Sequence, residues 1–156
     1  MSRRGAITLW FLALAGLLFG PPGARAHNPD TSYVRIKIEP DRIETRLTYD
    51  VFTLLKLGPL DDNGDGQLQR SEMANHAPRI AKFLHEKIGL ATSDTDETAA
   101  LGEFQGTGWP PDVGDAIRAA DFHSANGLVH FNFVRTLEQP PEEVAIAFGV
   151  FDKFSE

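Results

Sequence analysis

The sequence predicts an α+β domain, a small antiparallel sheet or sandwich interrupted by one helix–loop–helix insert. Three observations predict it. Residues 32–39 and 42–49 alternate apolar and polar side chains with the period of a strand, and a turn-forming Pro40-Asp41 joins them. Residues 70–89 carry apolar side chains at helical spacing. Alternation then returns over 127–136, and the stretch 142–151 is apolar on both faces, as a central or covered strand would be. Strands on both sides of a helical insert argue for an antiparallel α+β domain.

The chain opens with Arg3 and Arg4, an apolar stretch from Ala6 to Phe19, and the small-residue tripeptide Ala24-Arg25-Ala26. That order is a secretory signal peptide with an A-x-A cleavage site. We therefore expect residues 1–26 to be a leader and 27–156 to be a single extracytoplasmic domain of 130 residues. The apolar run is shorter than the roughly 20 residues needed to cross a bilayer. The expected location is secreted or periplasmic, with no membrane span in the mature chain. Removing three arginines and no acid moves the formal charge from −7 to −10. So acidic a surface argues against nucleic acid and anionic lipid as partners. With no cysteine, disulfides, iron–sulfur clusters, zinc–thiolate sites and cysteine nucleophiles are excluded. An exported domain without disulfides suits a bacterial periplasm or cell surface.

In the hairpin, Val34, Ile36 and Ile38 share one face of the first strand. Ile43, Thr45, Leu47 and Tyr49 share one face of the second. Asp50 is placed to cap a short helix over 51–57, which Gly58-Pro59 ends. The second helix starts near Arg70, runs toward Gly89, and turns Met73, Ala77, Ile80, Phe83, Leu84 and Ile88 to one side. Pro78 predicts a kink or a restart within it. Residues 93–98 read as a polar turn, 99–104 as a strand and 106–111 as a loop. Trp109 in that loop reads either as an exposed aromatic patch or as a cover for one end of a small core.

Between the two helices stands Asp61-Asp62-Asn63-Gly64-Asp65-Gly66-Gln67-Leu68-Gln69-Arg70-Ser71-Glu72. D-x-N-x-D-G, five residues and then Glu is the calcium loop of an EF-hand, here spanning about 51–88 with its helices. Ca2+ takes six to eight oxygens at roughly 2.3–2.6 Å. Asp61, Asn63 and Asp65 would each give a side-chain oxygen, Gln67 its carbonyl, Gln69 a bridged water and Glu72 both carboxylate oxygens. Gly66 falls where the loop turns with positive φ, and Leu68 is the apolar residue expected to pack inward. A plain Asp/Asn/Gly surface turn accounts for Asn63-Gly64 and Asp65-Gly66, but not for the carboxylate at 72. There is no internal repeat and no second calcium loop. A lone loop supported by its own sheet suits a monomer.

The run Pro59-Leu60-Asp61 through Glu72, the preceding Leu54-Leu55-Lys56-Leu57 and the closing Val150-Phe151-Asp152-Lys153-Phe154 carry a resemblance. In layout the chain resembles the extracytoplasmic N-terminal region of HupE/UreJ-like bacterial membrane proteins. The resemblance implies an accessory or sensor region of a metal-transport membrane protein. Members of that family continue into several transmembrane helices, which these 156 residues do not contain, so the transport role is not carried over.

No enzyme signature accompanies the loop. There is no G-x-S-x-G and no H-E-x-x-H, and Gly102 to Gly108 lacks the Lys-Ser/Thr of a phosphate loop. Asp121-Phe122-His123-Ser124 sets acid, imidazole and hydroxyl side by side, but adjacent residues point in different directions, so it reads as a turn. His27, as a mature N-terminus, would chelate copper or nickel if a second histidine came near; His76, His85, His123 and His130 are the candidates. Imidazole ligands are recognised by clustering, and none of these stands at a helical ligand spacing from another. The expected function is thus a non-catalytic, exported calcium-binding domain. The alternative is the extracytoplasmic metal-transport accessory region, with a transition-metal site at His27. No protein partner is legible.

Overall fold

A computed structural model describes residues 32–92, 99–123 and 127–150. The leader, His27, the polar turn over 93–98 and the chain beyond Val150 lie outside them.

The predicted hairpin forms. β1 (Tyr33–Ile38) runs antiparallel to β2 (Arg42–Asp50), with Tyr33 opposite Thr48 and Ile38 opposite Ile43. Over its whole length β2 also pairs with β8 (Leu128–Thr136), from Arg42 opposite Thr136 to Asp50 opposite Leu128. β8 in turn pairs with β6 (Glu103–Gly108), giving one antiparallel sheet of order β1-β2-β8-β6. The alternation in β2 and β8 is in register. Ile43, Thr45, Leu47 and Tyr49 from one strand and Val129, Phe131 and Phe133 from the other are all buried. The Phe131 ring lies 6.4 Å from Tyr49 and 6.2 Å from Phe104, and Phe104 lies 5.5 Å from Phe133.

On this face packs α2 (Arg70–Lys87), which contributes Met73, Ala77, Ile80, Ala81 and Leu84 to the same core. The helix runs through Pro78 without ending or restarting. Pro78 is exposed, as is Ala74, so the amide that proline removes was due on the solvent side. There the freed Ala74 carbonyl can turn to water.

Beyond the first helix, four sequence expectations are corrected. First, α2 stops at Lys87, and β4 (Ile88–Thr92) follows at once, with Ile88, Leu90 and Thr92 alternately buried. Second, the strand expected over 99–104 is two strands, β5 (Ala99–Ala100) and β6, broken at Gly102. Gly102 has φ +101°, and a Cβ there would stand 2.3 Å from the Val134 carbonyl oxygen, so a side chain is excluded. Third, residues 106–108 continue β6 past a bulge between Phe104 and Gly106 and are not loop. Fourth, β9 (Val144–Phe148) pairs only with β4 among the described residues, at the edge of a sheet of order β5-β4-β9. Its Ala145 and Ala147 are exposed, so it is neither central nor covered.

The first helix, α1 (Val51–Leu55), is shorter than the expected 51–57. Asp50 caps it, its Oδ1 accepting the Thr53 amide at 2.6 Å. A third, two-stranded sheet joins β3 (Gln67–Gln69) to β7 (Ala116–Arg118), which a single 3-10 turn, Ala119–Asp121, follows.

Candidate cation loop

The segment 61–72 is held between two buried anchors. Leu60, fully buried, fixes its start, and Leu68 and Glu72, 1% and 5% exposed, fix its end. Between them the chain bulges into solvent, with Asp62, Asn63, Gly64, Asp65 and Gly66 exposed. Gly64 and Gly66 take φ of +74° and +76°. At these turns glycine escapes the Cβ clash that other residues meet.

The predicted ligand side chains organise this bulge. Asp61 accepts the Gly64 amide at 2.7 Å on Oδ1 and the Gly66 amide at 2.8 Å on Oδ2. Asn63 Oδ1 accepts the Asp65 amide at 2.8 Å. Asp65 Oδ1 accepts the Gln67 amide at 2.8 Å, while Oδ2 takes the side-chain amides of Asn63 and Gln69, each at 3.1 Å. These donors, the Gln67 amide foremost, hold the Asp65 carboxyl below the ordinary carboxylate range despite some desolvation. Glu72 reaches back across the loop. Its Oε1 accepts the Asp62 amide at 2.9 Å and its Oε2 the Gln69 amide at 2.8 Å. The Gln69 contact also closes the N-terminus of α2.

All the predicted side-chain donors therefore share one loop, and that loop offers oxygen alone, the chemistry a hard cation takes. As placed, they face the loop's own amides. Among the described residues, no three His, Asp or Glu side chains are gathered closely enough to hold a metal ion.

One component of the loop's support was not read from the sequence. β3 pairs with β7, setting Leu68 opposite Ile117, both buried. The Arg70 amide also donates to the Asp115 carbonyl at 2.8 Å. The available signal was faint, a lone isoleucine between outward residues in Ala116-Ile117-Arg118, matching Leu68 within Gln67-Leu68-Gln69. Trp109 belongs to this support. Its Nε1 donates to the Gly114 carbonyl at 2.7 Å and its ring packs on the core, closing the 109–114 turn beside the β3–α2 junction.

The four described histidines have separate surroundings. His76 Nε2 lies 2.9 Å from Asp62 Oδ1. His130 Nδ1 lies 2.9 Å from Thr48 Oγ1, and partial burial, with Arg46 nearby, pushes its imidazole below the ordinary range. His123 stacks on Phe52 at 4.1 Å between ring centres, and His85 lines a groove between α2 and β6. Asp121 takes the Arg118 guanidinium at 3.0 Å, and Ser124 lies outside the described residues. No helix of the described residues is long and apolar enough to cross a membrane.

Comparison with known proteins finds no family model that matches the chain. No curated protein and no solved structure matches it either.

Proposed function

We propose that this is an exported, non-catalytic domain whose 61–72 loop, a single EF-hand, binds one structural calcium ion. One observation carries the reading. Asp61, Asn63 and Asp65 alternate along a twelve-residue turn that Glu72 closes, and each of the four already fixes a backbone amide of that turn. A loop so pre-shaped loses less chain entropy when an ion draws its oxygens together. The ligands would be Asp61, Asn63, Asp65 and Glu72 by side chain and Gln67 by carbonyl, with Gln69 acting through water. The β3–β7 ribbon pins one end of the loop to the core through Leu68 and Ile117, which favours a fixed ion over a switch. A micromolar sensor is also poorly suited to an exported location, where modules of this kind bind at about 10⁻⁴–10⁻³ M.

Calorimetric titration of the purified protein with calcium chloride tests the proposal. One site per chain is expected, abolished in Glu72→Gln and unaffected in His130→Gln. Heats that are absent, or equal in the native protein and Glu72→Gln, would overturn it.

A further inference from the structure

Four large apolar side chains are markedly exposed among the described residues, and three of them lie on β1: Tyr33 at 55%, Val34 at 38% and Ile38 at 53%. Val34 and Ile38 belong to the face that β2 buries in the core, since they stand opposite Leu47 and Ile43. β1 therefore extends the core face of the sheet past the point where α2 covers it.

The two edges of this sheet differ. β6, the far edge, is broken by the bulge between Phe104 and Gly106, a common device for blocking strand addition. β1 pairs with β2 in unbroken register and contains no proline, and its charged side chains all point to the outer face. Inward charges and bulges are the usual protections of an edge, and β1 has neither.

The outer face supplies the specificity. Arg35 stands directly opposite Arg46, a like-charge pairing that destabilises a sheet. Among the described residues neither guanidinium meets a carboxylate, and Arg46 Nε donates to Asn132 Oδ1 at 3.0 Å. Lys37, two residues on, is held by Glu39 and Glu44. Among the described residues, a chain of net charge −7 thus keeps two arginines without a carboxylate partner side by side next to the β1 edge.

We propose that β1 is a docking edge for an extended partner segment that alternates apolar and acidic residues. The segment adds as an antiparallel strand. Its backbone satisfies the free edge, its apolar side chains cover Val34 and Ile38, and its carboxylates meet Arg35 and Arg46. A second copy of this chain is a poor occupant. Two-fold pairing of β1 with itself about Arg35, Ile36 or Lys37 sets Arg35 on Arg35, Arg35 on Lys37 or Lys37 on Lys37.

The test uses fluorescein-labelled, end-capped nonapeptides. One alternates valine and glutamate, one alternates valine and lysine, and one carries the first composition in two blocks. The alternating valine–glutamate peptide is expected to bind best, more weakly as salt rises, with amide shifts of the protein centred on residues 33–38. Arg35→Glu with Arg46→Glu should reverse the preference toward the lysine peptide by about tenfold. Arg35→Glu alone should erase the preference, and Val34→Ser should weaken both alternating peptides. Circular dichroism identifies any variant that fails to fold. Equal binding of the three peptides, no binding, or shifts centred on β6 or α2 would overturn the proposal. So would a concentration-dependent dimer that buries β1.

Discussion

The β2–β8 pair and the 61–66 bulge are built on opposite principles. In β2–β8, Leu47, Tyr49, Val129, Phe131 and Phe133 are almost wholly removed from water. Stability there comes from apolar area and dense packing, neither of which depends on any solute. In the bulge almost every side chain is wet, and shape comes from short contacts between carboxylates and the loop's own amides. Such contacts return little, because water competes for the same exposed carboxylate oxygens. The difference teaches where an ion can act. On the function proposed above, an ion would add little to a sheet already packed against α2 and more to a loop held by exposed hydrogen bonds. Leu68 and Glu72, buried at the loop's end, are the points at which the two principles meet.

The comparison can be broken first at its strong end. Phe131→Ala should cost about 3–5 kcal/mol in denaturant unfolding, with the same loss in calcium and in chelator. A loss that depends on calcium would mean that the sheet and the loop are not separate. Leu68→Ala, at the junction, should cost about 2–4 kcal/mol and also weaken calcium binding in a titration. Its effect is expected under both conditions, but larger with the ion present. Asp50→Ala removes the cap of α1 and should cost about 1 kcal/mol, read as a lower thermal midpoint unchanged by calcium.

The smallest effect sharpens the sheet side. His130 has its folded value depressed, so the unfolded chain takes up the proton at the higher pH. Its contribution to stability is complete above the unfolded value of about 6.5. It declines as pH falls from there toward the lower folded value. Urea midpoints measured between about pH 5 and 7 should fall less steeply in His130→Gln than in the native protein.

The regions also differ in how legible they were. β1, β2 and β8 were readable because their alternation is strict and one face is large and apolar, as in Val129, Phe131 and Phe133. The 61–72 loop stood out as a candidate because cation chemistry ties residue type to spacing within twelve positions, and the structure places those side chains on the loop's own amides. β9 misled because Ala145 and Ala147 count as apolar in a pattern, yet a lone methyl sits in solvent at little cost. β4 was hidden because Ile88 lies four residues after Leu84, so its burial continued the helical stripe of α2. The Gly102 break depends on the approach of the Val134 backbone, a contact between residues far apart in sequence. β7 offers one buried side chain, too little for any period.

Thermal unfolding of the native protein and Glu72→Gln, each in excess calcium and in excess chelator, tests the central claim most directly. At free calcium of about ten to a hundred times the dissociation constant, linkage predicts a gain of about 1.4–2.7 kcal/mol for the native protein. Glu72→Gln should show no such gain. In chelator Glu72→Gln should lose part of its stability, because its oxygen keeps the Asp62 or the Gln69 amide but not both, and the loss should be clearly smaller than in calcium. A native midpoint indifferent to calcium, or a Glu72→Gln loss of equal size in chelator, would contradict the account.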